Sequence, residues 1–99
     1  MSDTAMTPGQ IGRWMAREDH YARLLGMELE AVEEGYARVG MTVTSDMLNS
    51  VGITHAGVTF GMADFAFAVA SNSHGTVAVA LTAQISYPAV NKEGDRLIA

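Results

Sequence analysis

The sequence predicts an α+β domain in which antiparallel strands cover one long helix. Three stretches carry this prediction: an almost uniformly apolar helix over 57–72, a strand, turn and strand over 27–43, and a long alternation of apolar with polar or small residues over 76–87. A helix that is apolar on nearly every side is buried by other elements. Alternating strands joined by a short turn pair antiparallel with one face on the core.

The N-terminal region is expected to be helical. Residues 1–6 are predicted to form a disordered tail, as chain ends often do. Thr7 followed three positions later by Gln10 is a capping-box pattern, which indicates the start of a helix expected over 7–25. Gly26 is a typical stop, because glycine accepts the left-handed backbone conformation that ends many helices.

The strands follow on either side of the long helix. Residues 27–32 and 36–43 are predicted to form a hairpin, with Gly35 supplying the turn. The alternation over 76–87 predicts the longest strand of the chain, and 95–99 starts another that stops almost at once. A sheet with so few strands leaves part of an apolar helix uncovered. Either a partner subunit covers it or, as we expect, the C-terminal strands are truncated.

Composition favours one small domain, 1–99, that associates with a second copy. The chain has 99 residues, 48% of them hydrophobic, which is high for so small a protein and favours a subunit interface. The net charge is −5 and the six basic residues are scattered, which argues against nucleic acid and anionic membranes. No secretion signal or membrane-spanning stretch is visible, and cysteine is absent, so we expect a cytoplasmic protein.

Asp64 is the only carboxylate in the long apolar helix. An ionised carboxylate among apolar side chains is costly unless it is paired, hydrogen-bonded or at the wall of a wet cleft. The pattern therefore indicates a functional group. The alternative is that Asp64 caps a shorter helix beginning at Phe65, because aspartate is a preferred N-cap residue.

The spacing around Asp64 resembles a known motif. Asn49 lies six residues before His55-Ala56-Gly57, Asp64 lies nine residues after His55, and Asn-Ser-His-Gly follows the helix. These residues resemble the hotdog-fold acyl-CoA thioesterases, in the branch called PaaI that serves phenylacetic acid degradation. The resemblance implies a curved antiparallel sheet wrapped around a long central helix. It also implies a homodimer or homotetramer whose active sites lie between subunits.

The same resemblance implies roles for individual residues. Asp64 would act as nucleophile or as general base for a water molecule, and the Ala56 amide would polarise the thioester carbonyl. Glycine is usual at the Ala56 position in the family. Asn49 would position the attacking water or the thioester, and Thr82 matches a hydroxyl residue that orients the water in some relatives. His55 and Gly57 would line the substrate site, and the substrate would be an aryl-acetyl or hydroxyphenylacetyl CoA thioester.

Structural roles compete with three of these assignments. Asn49 is in a loop, where asparagine often closes an Asx turn. His55 is more readily a group that hydrogen-bonds the helix start than a proton-transfer residue. Thr82 is a common residue type in strands.

Other chemistries find no support in the sequence. The three histidines and eleven acidic residues have no metal-ligand spacing, and no phosphate-binding glycine motif is present, so we expect neither a metal nor a cofactor. Two further functions stay open: a hotdog hydratase or dehydratase, and a non-catalytic protein that binds acyl-CoA. Retention of Asp64 favours the thioesterase over the binding protein, and His55-Ala56-Gly57 with Asp64 nine residues after His55 fits the hydratases less well.

Overall fold

The computed structural model describes residues 5–99 as helices packed on a small antiparallel sheet. Of the tail expected over 1–6, residues 1–4 lie outside the described part. The order of elements is α1 (Pro8–Glu18), α2 (His20–Leu25), β1 (Glu28–Glu33), β2 (Tyr36–Thr42), a 3₁₀ turn (Ser45–Met47), α3 (Ala56–Asn72) and β3 (Arg96–Ile98).

Two helices, rather than one, cover the region expected to be helical over 7–25. The predicted capping box is present, because the Gln10 N–H donates to Thr7 Oγ1 at 3.1 Å and the Thr7 N–H donates to Gln10 Oε1 at 2.8 Å. The break is at Asp19, whose carboxylate accepts the Ala22 N–H at 2.9 Å and so caps α2. Aspartate favours such caps over helix interiors. Gly26 ends α2 in the left-handed conformation, as predicted.

The three strands form one antiparallel sheet in the order β1-β2-β3. The predicted hairpin is confirmed, with Glu33 opposite Tyr36 beside the turn and Gly35 at a φ of 75°. β3 continues the sheet on the other side of β2, where Gly40 lies opposite Ile98. The prediction of a last strand that stops almost at once is therefore confirmed within the described residues.

The core lies between the sheet and one side of α3. Its centre on the sheet is Val39, Met41 and Val43, and α3 contributes Val58, Met62, Phe65, Ala66 and Val69. The opposite side of α3 is exposed, with Phe67 at 52%. The expectation that α3 is buried on nearly every side is thus wrong for this chain. The sheet covers one side of α3, whereas the other side is approached by an extended segment and, near the helix start, by Tyr21 of α2.

That extended segment, residues 76–87, is called the return segment here because it follows α3 and runs back along it. The prediction that it forms the longest strand is wrong within the described residues, where it has no ladder partner. The segment is exposed along nearly its whole length, with Val77, Val79 and Leu81 at 86 to 95%. An alternating sequence forms a strand only when another backbone edge pairs with it. The sheet lies against the other side of α3, and its two edge strands, β1 and β3, do not pair with this segment.

The end of α3 is joined to the hairpin turn through Ser73. The buried Ser73 hydroxyl accepts the Gly35 N–H at 2.7 Å and donates to the Ala70 carbonyl at 2.6 Å. We expect Ser73→Ala to lower the free energy of unfolding by about 1–2 kcal/mol, because it leaves a partly buried N–H without a partner. Urea unfolding measures this. Ser71→Ala, which loses one hydroxyl bond within the helix, is the control; equal losses in both variants would contradict the prediction.

An ion-pair network ties β3 to β1 across the sheet. Arg96 donates to Glu30 at 2.7 Å and to Glu28 at 2.9 Å, and Arg38 donates to Glu30 at 3.1 Å. The hydrogen bond from Arg96 holds the pKa of Glu30 below its ordinary value of 4.5, with Arg38 adding to the effect. The network therefore acts through the charged form of Glu30.

The lowered pKa of Glu30 determines how the stability of the protein depends on pH. A carboxylate with a lowered pKa stabilises the fold above its unfolded pKa, and this contribution is lost as the pH falls through the folded pKa. We expect the urea midpoint of the wild type to drop below about pH 4.5 more steeply than that of Glu30→Gln. Glu93→Gln, a change at an exposed carboxylate, is the control. If the urea midpoints of the wild type and Glu30→Gln fall equally steeply with decreasing pH, the prediction is contradicted.

Candidate active site

The start of α3 is capped by a histidine side chain. His55 is the N-cap residue, and its Nδ1 accepts the Gly57 N–H at 2.9 Å. A Cβ atom on Gly57 would lie 3.1 Å from Nδ1, so glycine gives the ring room to fold over the helix start. Because Nδ1 is the acceptor, the proton of the neutral ring is on Nε2. The geometry therefore shows the structural role considered for His55, in which its side chain hydrogen-bonds the start of the helix.

The cap leaves the first amide of α3 available. The Gly57 N–H donates to His55 Nδ1 and the Val58 N–H to the His55 carbonyl at 3.0 Å, whereas the Ala56 N–H has no acceptor among residues 5–99. A free N–H at a helix start carries the positive end of the helix dipole and attracts an anion. Ala56 lies in ordinary helical backbone, since only glycines have positive φ among the described residues. Alanine in place of glycine therefore adds no backbone strain here.

Asn49 shapes the loop that leads to this cap. Its Oδ1 accepts the N–H groups of Val51 at 3.0 Å and Ile53 at 3.3 Å. The loop is closed by the bridge between Leu48 and Thr54. The geometry is therefore that of an Asx turn, and the oxygen of Asn49 is committed to the backbone.

Asp64 lies inside α3, on its exposed side. Because the helix begins at Ala56, the alternative in which Asp64 caps a shorter helix is wrong. Within the described part of the chain its carboxylate makes no salt bridge. It lines an apolar cavity of about 250 Å³ between α3 and the return segment, together with Phe60, Phe67 and Thr82. Two predicted site residues, Asp64 and Thr82, thus lie at one cavity.

A groove connects the helix start with Asp64 along the same side of α3. It is lined by Tyr21, Gly57, Phe60, Gly61 and Asp64. The Tyr21 ring packs against Gly61, where any Cβ would collide with it, and the Tyr21 hydroxyl donates to the Gly57 carbonyl at 3.4 Å. The wall of the groove is therefore set by contact between α2 and α3.

The Ala56 amide and Asp64 do not meet within one chain. They are eight residues apart on a straight helix, which separates them by about 12 Å along its axis. An oxyanion donor must lie about 3 Å from the reacting oxygen. The amide and the carboxylate of one copy therefore cannot act on one carbonyl group.

Two residues that contact the site were not singled out by sequence reasoning. The Tyr87 hydroxyl donates to the Ala56 carbonyl at 3.1 Å, and Tyr21 contacts Gly57 and Gly61 as described above. Each contact joins positions more than 30 residues apart, which no local pattern reveals. Tyr87 lies at the end of the predicted long strand, and this was its only signal in the sequence.

The described residues form neither a metal site nor a membrane-spanning helix. No group of three histidine, aspartate or glutamate side chains within 5–99 is arranged to hold a metal ion. No helix in the described ranges is long and apolar enough to cross a bilayer.

No protein-family model matches the chain. Comparison with individual proteins nevertheless finds relatives that agree with one another. The chain is 41% identical over 90 residues to a protein of Archaeoglobus fulgidus, covering 91% of this chain and 58% of the relative. It is 42% identical over 85 residues to acyl-coenzyme A thioesterase PaaI of Escherichia coli, covering 86% and 61%. The chain thus spans about three fifths of the length of these curated relatives.

Solved structures agree with the sequence comparison. The Escherichia coli PaaI protein superposes with a TM-score of 0.89 and 40% identity, over 92% of this chain and 66% of that one. A mutant of the phenylacetic acid degradation protein PaaI from Thermus thermophilus gives a TM-score of 0.76 and 35% identity, over 79% and 67%. The predicted hotdog fold is confirmed by these likenesses. The chain belongs to the PaaI branch of the hotdog-fold thioesterase family.

Proposed function

We propose that this protein hydrolyses acyl-CoA thioesters. The observation that carries the proposal is the free Ala56 N–H at the start of α3, held open by the His55 cap. Such an amide stabilises the negative charge that develops on a thioester oxygen during attack. The likeness to acyl-coenzyme A thioesterase PaaI at 42% identity supports the same reaction.

In the proposed reaction a water molecule or Asp64 attacks the carbonyl carbon. As general base, Asp64 takes a proton from water while the water oxygen bonds to that carbon. The carbonyl oxygen becomes an oxyanion that accepts the Ala56 N–H. Collapse of this intermediate breaks the C–S bond, and CoA leaves as a thiolate that then takes up a proton. As nucleophile, Asp64 would instead form an acyl-enzyme anhydride that water hydrolyses.

The remaining predicted residues act around these two groups. We propose that Thr82 orients the water, because it shares the cavity with Asp64. Asn49 would position the thioester or the water through its side-chain amide nitrogen, since its oxygen is held by the Asx turn. His55 and Gly57 would contribute to substrate binding by holding the helix start in the geometry that presents the Ala56 amide.

We propose that each active site is built from two copies, in a homodimer or homotetramer. The separation of about 12 Å along α3 requires Asp64 to serve the helix start of a neighbouring copy. Two further features favour association: the exposed apolar side of α3, and the return segment with its exposed alternating side chains. Both are surfaces that a small protein normally covers.

The proposed substrate is an aryl-acetyl or hydroxyphenylacetyl CoA thioester, used in phenylacetate degradation. The phenyl groups of Phe60 and Phe67 line the cavity beside Asp64, and a flat aromatic acyl group fits such a lining. The relatives named for phenylacetic acid degradation support this choice. We further propose a cytoplasmic location, which the absence of cysteine favours.

Thiol release is the test of the proposed function. The purified protein is mixed with phenylacetyl-CoA, hydroxyphenylacetyl-CoA or a short aliphatic acyl-CoA, and free CoA is followed with a thiol reagent. We expect turnover that is faster with the aryl-acetyl substrates. Calorimetric binding of the same thioesters without any release would favour the acyl-CoA-binding protein instead. Addition of water to an enoyl-CoA, with no thiol release, would favour the hydratase.

A further inference from the structure

The return segment is fastened to α3 at both ends. At its start, Asn72 Oδ1 accepts the Ala78 N–H at 3.0 Å, and Asn72 Nδ2 donates to the Ala78 carbonyl at 2.9 Å. At its end, the Tyr87 hydroxyl donates to the carbonyl of Ala56, the first residue of the helix. The segment therefore runs the length of α3 between two fixed points, over the cavity that Asp64 lines.

The Asn72 side chain binds the backbone of one residue of the segment, Ala78. Its amide engages both polar backbone groups of Ala78, as a neighbouring strand does in a ladder. A third hydrogen bond, from Nδ2 to the Ala68 carbonyl at 2.8 Å, fixes the side chain on α3. Because one rigid amide group makes all three bonds, a shift of the segment by one residue breaks the pair with Ala78.

The register of the segment decides which side chains face Asp64. Residues 80 and 82–85 of the segment, Thr82 among them, line the cavity, and residues 77–80 line a second cavity that Asp64 also shares. A slip of one residue moves each side chain of an extended chain by about 3.3 Å along α3 and turns it to the opposite face of the segment. Such a slip would move the Thr82 hydroxyl from its present place at the Asp64 cavity.

We propose that Asn72 is a positioning residue for the reaction proposed above. It holds the return segment in the register that places the Thr82 hydroxyl at the Asp64 cavity, and it contacts neither of these side chains. The inference rests on the proposed hydrolysis and on the role of Thr82 in orienting water. It assigns a task to Asn72, the last residue of α3 and the first of the Asn-Ser-His-Gly stretch.

The test is a double-mutant cycle on kcat. Asn72→Ala removes all three hydrogen bonds, and we expect kcat to fall roughly 10-fold to 100-fold, because small misplacements of reacting groups cost rates of this size. Thr82→Val removes the hydroxyl at nearly constant shape. If Asn72 acts through Thr82, then adding Asn72→Ala to Thr82→Val lowers kcat little further. Additive losses would overturn the inference.

Ser71→Ala is the matched control. Its hydroxyl donates to the same Ala68 carbonyl at 3.2 Å but does not reach the return segment, so its kcat is expected to equal that of the wild type. If Asn72→Ala fails to fold, Asn72→Asp is used, because it keeps the acceptor for the Ala78 N–H and loses only the donor. If the wild type hydrolyses the thioester and the Asn72 variant has the same kcat, the inference is wrong and the proposed function stands. Absence of hydrolysis by the wild type overturns the proposed function, and the inference with it.

Discussion

Replacing Asp64 by asparagine is expected to lower kcat for aryl-acetyl CoA thioesters by roughly 100-fold to 10,000-fold, the range for loss of a general acid or base. Asparagine keeps the shape of the side chain and can neither take a proton from water nor attack as a carboxylate. Binding of the thioester should persist, because the apolar cavity lining is unchanged. Thiol release measures kcat, and calorimetry measures the dissociation constant.

The stability of this variant should be close to that of the wild type. Asp64 is exposed and has no salt bridge within the described residues, and such surface changes usually alter stability by less than about 0.5 kcal/mol. Asp46→Asn is the control, since it removes one negative charge at an exposed turn and changes the attraction for anionic CoA equally. If Asp64→Asn and the wild type hydrolyse the thioester at the same rate, Asp64 is not part of the mechanism.

The long helix and the hairpin were predictable because their signals are local. A nearly all-apolar run predicted a helix over 57–72, and α3 occupies Ala56–Asn72. Alternation around Gly35 likewise predicted the β1 and β2 pair. Both patterns depend on neighbours in the chain, where side-chain periodicity and turn chemistry act directly.

The rest depended on contacts between distant parts of the chain. The sequence left open whether the Asp19 carboxylate caps a second helix or lies within a single one, and the structure shows the cap. Residues 76–87 have the alternation of a strand, but a strand also needs a paired backbone edge, and neither edge strand of the described sheet, β1 or β3, pairs with them. Asp64 is exposed for a related reason, because its side of α3 faces the return segment instead of the sheet. The family resemblance singled out Asp64 and Thr82, which share one cavity, whereas the Tyr87 contact became visible only in three dimensions.

The second large effect is expected from Ala56→Pro, which removes the proposed oxyanion donor. Proline has no N–H, and at the first position of a helix it is well tolerated because that N–H has no intrahelical partner. The residue before it, His55, already has the extended conformation that proline requires, with φ −62° and ψ 133°. We therefore expect a folded protein whose kcat is about 100-fold to 1,000-fold lower, the loss typical of a missing oxyanion donor.

Ala56→Gly is the control for the backbone at this position. It keeps the N–H and should retain the wild-type kcat or exceed it, because glycine allows a closer approach of the thioester to the amide. Unfolding in urea confirms that the helix start is intact in both variants. A proline variant that folds and keeps the wild-type kcat would exclude the Ala56 amide as the donor.

Mixing the two impaired variants tests whether the amide and the carboxylate come from different copies. A mixed dimer of Asp64→Asn and Ala56→Pro contains one site with an intact Ala56 amide from the first copy and an intact Asp64 from the second. If subunits exchange at random, half of the dimers are mixed and the mixture recovers about a quarter of the wild-type activity. If both groups came from one copy, every site would lack one of them and mixing would restore nothing. Recovery thus depends on the separation of about 12 Å along α3 that keeps the two groups of one chain apart.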